Sequence, residues 1–569
     1  MKRYVVYLLF LMSVLGWSCE RLIDLKPLDQ ISVDDYWKTP ADLQNYVKQF
    51  YQNFSPQTQM VAELAVNSDD MVHGSPSAIL NGQRTARTGS WQGEWAAIRH
   101  INIFFDNYEK CEAEFSEIRH TVGEAHFFRA WYYFGLLKEY GDIPWYTSEI
   151  GLDDDQALMR PRDPRTQVAD NILAELDKAI EFLDTRRSVG NTRISKEAAL
   201  ALKTRVALFE GSWQKYHANT PFGTAGADPQ RYFQACVSAA EELMGGNYTR
   251  GIYTTGNPDD DYYRLFGLDN MNDVDEVLLY RAFNRNEGAG NAVQGYITYD
   301  MNQKGITWDL VSSYLGRDGK PYDYLEVGQI EKGNDFLLTI AAECDRRLKS
   351  TIWIPGDLMA AELEKYFDRP TIDAGALQLN PTGFSVKKTA NPYSPAAGRP
   401  WSVQAETGFI ILRYAEVLLN YAEAYYELNQ EVAYEALNRL RERAGMPAFE
   451  VHSQQLNESP ANYGYEIPDA LYEIRRERRV EMALEGYRDE DYRRWAAHAL
   501  FRGQRPKGYP VSREEFPAYS RPVDSNGLID YYADELPEGY QFQPGRDYLS
   551  SIPLDELTLN PNLVPNPGW

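Results

Sequence analysis

Aromatic side chains outside the helical patterns are the first candidates for chemistry in this sequence. Trp91 follows Gly89-Ser90 just before a helical pattern, and Tyr296, Tyr299 and Trp308 lie in or at the edge of a glycine-rich segment. Flat aromatic rings can stack on the apolar faces of pyranose rings, while amides and charged groups bond the surrounding hydroxyls. These positions therefore fit a carbohydrate-binding surface. Core packing is the alternative for each aromatic taken singly.

Motifs of known enzyme classes are absent from the sequence. It contains no His-Glu-x-x-His, no Gly-x-Ser-x-Gly, no P-loop and no Cys-x-x-Cys. The spacing of Gly288, Gly290 and Gly295 does not match a dinucleotide fingerprint. With 83 acidic residues, no carboxylate pair stands out as the acid and nucleophile of a glycoside hydrolase. We therefore predict that the protein is not an enzyme, and a glycoside hydrolase stays the less favoured alternative.

The charged clusters of the sequence are better explained by structural roles than by metal binding or phosphate binding. Acidic residues at 153–155, 259–261 and 269–273 offer hard oxygen ligands for calcium, but none has the spacing of an EF-hand loop. Solvated turns explain them, so no metal and no cofactor is predicted, although a structural calcium ion stays open. The basic run 475–479 lies in a helical pattern, where ion pairs with acids three residues away explain it better than phosphate binding.

The first 19 residues have the pattern of a secretory signal that ends at a lipidation site. A cationic head precedes an apolar run from 4 to 15, and residues 16 to 18 lead to Cys19. The run is shorter than the roughly 20 residues that span a bilayer. Gly16 occupies the place where a bacterial lipobox usually carries leucine. We predict a signal peptide over 1–18 and lipidation of Cys19. An ordinary signal peptide and an uncleaved anchor are the alternatives.

The overall charge of the chain is strongly acidic. Its 569 residues carry a net charge of −25, and removal of residues 1–18 makes this −27, because Lys2 and Arg3 are lost with the signal. Such a surface repels phosphate and anionic headgroups, which argues against a nucleic-acid partner. No later segment has the roughly 18 uninterrupted apolar residues of a membrane span. Stable membrane attachment would then depend on acyl chains at Cys19.

Helical patterns dominate the N-terminal half and a later block. Apolar residues recur at helical spacing from 127 to 137, and Gly141 suits the end of that helix. Ser195 is predicted to be the N-cap of another helix. The patterns at 414–428 and 433–444 predict an antiparallel helix pair. Such pairs resemble tetratricopeptide units, so the scaffold is predicted to be mainly helical.

Long stretches with turn-forming residues interrupt these helices. Val277 to Phe283 has the β-rich composition of a short buried strand, but glycines follow it closely. Loops of this length in a compact protein are usually functional. No linker divides the chain, so we predict one unit over 19–569. Its predicted parts are a helical scaffold at about 30–245 and 411–500, loop-rich ligand-face insertions at about 247–410, and a C-terminal tail at 500–569.

Several segments of the sequence resemble one protein family. They are Leu-Lys-Pro-Leu-Asp-Gln at 25–30, Phe-Arg-Ala-Trp-Tyr-Tyr-Phe at 128–134, Tyr-Gly-Asp-Ile-Pro at 140–144, and the segments 411–425, 475–495, 548–553 and 566–569. In this order, from Cys19 to Trp569, they resemble the SusD/RagB family of outer-membrane nutrient-binding lipoproteins.

The resemblance implies a fold and a role. The fold is mainly α, with four tetratricopeptide-like helix pairs forming a superhelical platform and a loop-rich, irregular ligand-binding part with minor β structure. The role is that of a lipid-anchored protein facing the cell exterior on the outer membrane. It captures an oligosaccharide or polysaccharide and delivers it, without cleavage, to a SusC-like TonB-dependent transporter. The matching motifs belong to the scaffold and do not name the ligand. A protein of the same fold that binds peptides or host proteins stays an alternative.

The resemblance also bears on individual residues. In relatives, the regions around Trp91 and around 296–308 contribute to the ligand face. The predicted ligand-binding residues are therefore Trp91, Tyr296, Tyr299 and Trp308, together with Asn81 and Arg84. The tryptophans in scaffold motifs, which are expected to be structural, are Trp131, Trp213, Trp495 and Trp569.

Overall fold

Helices form most of the regular structure in the described part of the chain. The computed structural model describes residues 36–54, 63–151, 153–457 and 459–569. The predicted signal peptide, Cys19 and the segment 25–30 lie outside the described residues. Within the described ranges, no helix is both long and apolar enough to cross a membrane.

The α-helices of the described residues are α1 (Pro40–Lys48), α2 (Gln92–Asn107), α3 (Phe115–Tyr140), α4 (Asp155–Leu158), α5 (Arg165–Phe182), α6 (Arg186–Val189), α7 (Lys196–Tyr216), α8 (Pro229–Gly245), α9 (Asp261–Gly267), α10 (Val293–Thr298), α11 (Trp308–Val311), α12 (Tyr324–Ile330), α13 (Gly333–Glu343), α14 (Arg346–Thr351), α15 (Tyr414–Asn429), α16 (Tyr434–Arg443), α17 (Asp469–Glu481), α18 (Arg488–Arg494) and α19 (Leu554–Leu559). Short 3₁₀-helices cover Gln49–Asn53, Tyr108–Lys110, Arg285–Glu287, Ala361–Leu363, Gln454–Leu456 and His498–Leu500. The strands are β1 (Met71–Val72), β2 (Val277–Arg281), β3 (Gly305–Ile306), β4 (Leu358–Ala360), β5 (Lys365–Tyr366) and β6 (Phe409–Arg413).

The long helices pack against one another in chain order. Helix α2 packs on α3, α3 on α5, α5 on α7, and α7 on α8. Helix α8 then packs on α15, which also contacts α16 and α17. The helices bury apolar side chains against their neighbours in one large core, and α7, α8 and α15 share a smaller apolar cluster beside it. The structure therefore confirms the predicted mainly helical fold, with Trp213 and Trp495 fully buried in it.

Local capping explains where several of these helices begin and end. The Ser195 side-chain oxygen accepts a hydrogen bond from the Ala198 amide at 3.3 Å, which confirms it as the N-cap of α7. Helix α3 ends at Gly141, whose φ of 72° favours glycine. Helix α15 ends at Gln430 in the left-handed region with φ 59°. The sequence predictions for these helices are therefore confirmed.

The basic run of α17 is buried and pairs mainly with other elements. Arg476 forms an ion pair with Glu473 on the same helix, as predicted. Arg478, however, donates to Asp491 of α18 at 2.9 Å and not to Glu481. Because an unpaired buried charge is costly, such pairs hold α17 against its neighbours. The structural reading of the run is thus correct, but the predicted partner of Arg478 was wrong.

Between α8 and α15 the chain carries only short helices and strands. Among the described residues the strands form three antiparallel pairs, β1 with β3, β2 with β6, and β4 with β5. The β2–β6 pair confirms the strand predicted from residue 277. The β1–β3 pair joins Met71 to Ile306. It therefore brings the segment after residue 70 beside the turn that follows α10.

Candidate functional site

A cluster of aromatic rings lies at the surface of the loop-rich part. Trp401 is 56% exposed, and its ring centroid lies 5.6 Å from that of Tyr296 at an interplanar angle of 86°. Tyr296 itself is 8% exposed, so its ring lies beneath the surface and packs against the Trp401 ring. Tyr299, the residue that follows the end of α10, is half-buried. We call Tyr296, Tyr299 and Trp401 the aromatic face.

The backbone around Trp401 is held in a strained conformation. Its φ of 66° lies in the left-handed region, which bulky residues rarely adopt. Such a conformation costs about 1 to 3 kcal/mol and persists only where surrounding contacts impose it. Gly295 of α10 provides one of these contacts, because a Cβ there would lie 2.6 Å from the Arg399 carbonyl oxygen. The close approach at Gly295 therefore lets the chain cross α10 and present the Trp401 ring outward.

Tyr299 carries a cation beside its ring. Its hydroxyl donates to the Gly398 carbonyl oxygen at 2.8 Å, which fixes the ring against the segment that leads to Trp401. The Lys365 ammonium lies 3.9 Å from the ring centroid, a cation–π distance. Burial lowers the pKa of Lys365. The ammonium also donates to the Thr298 carbonyl oxygen at 3.3 Å, so the aromatic face has a hydrogen-bond donor held over the Tyr299 ring.

A strained turn follows α10 and supplies further polar groups. Asp300, Asn302 and Gln303 have φ values of 48°, 70° and 51°. The Asn302 amide donates to the Glu63 carboxylate at 2.6 Å. Burial and the charge of Glu63 raise the pKa of Tyr296, which places that carboxylate near the face. Strained backbone clustered in this way is typical of binding and catalytic sites.

Trp308 does not belong to the aromatic face. It is 7% exposed, and its ring stacks on Phe336 with centroids 5.7 Å apart. Its other ring contacts in the described residues are Tyr324 and Phe384. It also borders a polar cavity of about 340 Å³. Trp308 is a core residue beside that cavity, which corrects the expectation of a ring exposed on a loop.

Trp91 is also in the core. It is 5% exposed and packs edge-on against Trp95 and Tyr140, with centroids 5.8 Å and 5.1 Å away. Its backbone amide donates to the Glu556 carboxylate at 2.8 Å, so the C-terminal helix α19 lies against this segment. This burial corrects the expectation that the Trp91 ring is open to a ligand.

Asn81 and Arg84 bind the C-terminal tail. The Asn81 side-chain oxygen accepts from the Gln541 amide at 3.3 Å. Arg84 donates to the Leu549 carbonyl oxygen at 3.0 Å and to the Ser550 hydroxyl at 3.1 Å. These contacts use the side chains that a ligand would need. The structure therefore brings Tyr296 and Tyr299 together and leaves Asn81 and Arg84 outside the aromatic face.

The acidic clusters considered for calcium have other partners. Asp259 accepts from Lys349 at 2.7 Å and pairs with Arg346 at 3.2 Å. Asp261 accepts from the hydroxyl of Thr255 at 2.6 Å. Over the residues that the structure describes, no group of three or more His, Cys, Asp or Glu side chains is arranged to hold a metal ion.

Trp401 is the residue that the sequence reasoning missed. It lies in the run Asn391 to Pro400-Trp401, rich in proline and without a helical or strand pattern. The argument applied to Trp91, a large aromatic ring in a segment that no core pattern claims, applies equally to Trp401. The signal was therefore present in the sequence.

Comparisons with known proteins identify the family. A model described as "SusD family" matches residues 275–569, and one described as "Starch-binding associating with outer membrane" matches residues 27–208. The fold defines a class of protein in which a mainly helical scaffold carries a loop-rich surface with aromatic rings. The chain belongs to the SusD family.

Individual relatives align with this chain over almost its whole length. SusD-like protein P2 of Formosa agariphila is 25% identical, and the alignment covers 100% of both chains. The crystal structure of a SusD-like protein from Bacteroides fragilis is 23% identical with a TM-score of 0.72, covering 96% of this chain and 100% of that one. A structure described as a SusD-like carbohydrate binding protein, also from Bacteroides fragilis, is 21% identical with a TM-score of 0.72, covering 93% and 100%. These two structures share the fold of this chain.

Proposed function

We propose that this protein binds a glycan on its aromatic face. The observation that carries the proposal is Trp401, a large apolar ring 56% exposed on a backbone with φ 66°. A solvated loop has no reason to keep such a ring in a strained conformation, whereas a pyranose ring stacked on it would bury its apolar surface. The relative described as carbohydrate binding supports this ligand class.

Polar groups around the ring match the hydroxyls of a sugar. Lys365 lies over the Tyr299 ring as a donor, and Asn302 of the turn after α10 donates to the Glu63 carboxylate nearby. Saccharide sites combine apolar ring contacts with a small number of oriented polar groups in this way. The net charge of −25 favours neutral over anionic glycans, although salt screens that field beyond about 8 to 10 Å.

The location that we propose is the outer face of the outer membrane. Acyl chains on Cys19 would anchor the protein there, and a SusC-like TonB-dependent transporter would receive the glycan. Family membership and the description of the model that matches residues 27–208 support this assignment. We propose binding and delivery without cleavage. Co-expression with a SusC-like transporter of the same organism should yield a complex that survives purification, and separate elution of the two proteins would contradict the partner.

Calorimetric titration against a polysaccharide panel tests the ligand class. Replacing an anchoring aromatic residue costs about 2 kcal/mol, so Trp401→Ala should weaken glycan binding more than tenfold. Tyr434→Ala is the matched control, because Tyr434 is also exposed but lies on the scaffold helix α16. Equal affinities of Trp401→Ala and the wild type would contradict the proposed site. Binding of peptides and no glycan would contradict the ligand class.

A further inference from the structure

A groove separate from the aromatic face lies beside the start of the segment that begins at Asn391 and ends at Trp401. It encloses about 610 Å³, a size typical of small-ligand sites. Tyr393 stands at its rim and is 78% exposed, and the half-buried Tyr263 of α9 lines it. We call the cavity lined by Tyr263, Asp269, Asp357, Lys387, Asn391 and Tyr393 the Tyr393 groove.

The rim of this groove is held by a buried amide of α10. The Gln294 side chain donates to the Thr389 carbonyl oxygen at 2.7 Å and accepts from the Asn391 amide at 2.7 Å. Thr389 has a φ of 73°, a conformation that is a genuine outlier for a β-branched residue. Gln294 is 1% exposed, so these bonds are not exchanged for water. The backbone at the rim is therefore held in one conformation before any ligand binds.

The same helix holds both ends of the connecting segment. Gln294 fixes the backbone next to Tyr393, while Gly295 and Tyr296 fix Trp401. Seven residues separate Tyr393 from Trp401, and a chain of eight residue steps reaches at most about 28 Å. The backbone beside both exposed aromatic rings is thus held by helix α10. A single oligosaccharide of several units is long enough to reach both rings.

The chemistry of the groove fits a neutral ligand rich in hydroxyls. Its carboxylates and cations nearly balance, and most are already paired: Asp259 with Lys349, Asp260 with Arg264, and Asp357 with Lys387. Such pairing disfavours a free metal ion or a strongly charged ligand.

Asp269 is the acid of the groove that is bonded only by neutral groups. Its carboxylate accepts from the Thr407 hydroxyl at 3.2 Å and from the Asn391 amide at 3.5 Å. Burial raises the pKa of Asp269. The carboxylate and the neighbouring amide can accept from and donate to hydroxyl groups, while the rings of Tyr263 and Tyr393 offer apolar faces.

We propose that the Tyr393 groove is a second carbohydrate subsite, so that a long glycan contacts the groove and the aromatic face together. The inference rests on the proposed glycan-binding function. Two linked contacts raise the affinity of a ligand long enough to reach both, with no gain for a short one. The protein therefore discriminates glycans by chain length.

Titration of long and short forms of the same glycan tests the subsite. Tyr393→Ala should weaken binding of the polysaccharide at least about tenfold and leave a disaccharide at the aromatic face unaffected, because only the long ligand reaches the groove. Trp401→Ala should weaken both ligands. Tyr393→Phe keeps the ring and should bind as the wild type does. Tyr393 is exposed, so thermal melts of all variants should coincide.

The outcomes separate the two proposals. If the wild type binds polysaccharide and Trp401→Ala weakens it but Tyr393→Ala does not, the groove is overturned and the aromatic face stands. If neither variant changes the affinity of a wild type that binds, both sites are overturned. A wild type that binds no glycan overturns the function itself.

Discussion

Arg84 and Trp569 share one acceptor, the carbonyl oxygen of Leu549. Arg84 donates to it at 3.0 Å and the Trp569 indole donates to it at 3.0 Å, while the guanidinium lies 5.3 Å from the indole centroid. A segment that precedes α2 is thereby joined to the last residue of the chain. Arg84 has a structural role in this arrangement, because its donors are used to hold the tail.

Deletion of residues 566–569 should lower the stability of the protein without weakening glycan binding. The Asn566 amide donates to the carbonyl oxygens of Tyr140 and Ser550, and the Trp569 indole packs under two guanidinium groups. Loss of these contacts should cost about 2 to 4 kcal/mol of unfolding free energy. Differential scanning calorimetry measures the change.

The control for this deletion is Val564→Ala, in the same tail. Val564 is 66% exposed, so its truncation should leave the melting temperature unchanged. A truncated protein that melts with the wild type would show that the tail contributes nothing to stability.

Trp91→Ala should destabilise the fold and leave the affinity of the folded protein intact. Its ring is buried against Trp95 and Tyr140, and truncation of a buried tryptophan costs about 3 to 5 kcal/mol. Trp401→Ala should show the reverse pattern, since its ring is exposed. Thermal melts and titrations on both variants provide the measurement. A Trp91→Ala protein that melts normally but binds weakly would return Trp91 to the ligand site.

Stability should fall in acid through the buried carboxylate of Glu423. Burial alone raises its pKa, but the guanidinium groups of Arg494, Arg475 and Arg478 together outweigh this and lower the pKa from 4.5 to about 2. The ionised form is therefore stabilised in the folded state, so the contribution is complete above about pH 5 and is lost as pH falls through 2. It amounts to about 3 kcal/mol.

Urea unfolding of Glu423→Gln and the wild type between pH 6 and 3 measures this contribution. The variant should be less stable at pH 6, because the buried Arg494 loses one of its two carboxylate partners and keeps only Asp491, and its stability should fall less steeply with acid. Glu435→Gln is the control, since the exposed Glu435 pairs with Arg439 at the surface. Identical pH slopes for Glu423→Gln and the wild type would contradict the assignment.

Cys19→Ala should release the protein from the membrane fraction and abolish its labelling with a radioactive fatty acid. Acyl chains are the anchor that we propose, and two or more of them are needed for stable attachment. Cys111→Ala, in the helical scaffold, is the control and should stay membrane-bound. Retention of Cys19→Ala in washed outer membranes at the wild-type level would contradict this anchor.

Features that depend on neighbouring residues could be predicted from the sequence. The N-cap at Ser195, the end of α3 at Gly141 and the strand that starts at Val277 are each specified within a few residues, by capping chemistry, backbone freedom or composition. Helical patterns similarly predicted α3, α7, α15 and α16. The mainly helical fold follows from these local rules.

The sequence by itself determined the helices, the absence of known catalytic motifs and the resemblance to one family. It could not separate Trp91 from Trp401, because both follow turn-forming residues and neither lies on an apolar stripe. Their difference comes from distant segments: Tyr140 packs against the Trp91 ring and α19 bonds its backbone, whereas Gly295 and Tyr296 hold Trp401 outward. Burial is a property of the surfaces that meet when the chain folds, and those surfaces lie far apart in sequence. Only the tertiary structure decided which aromatic ring is presented to a ligand.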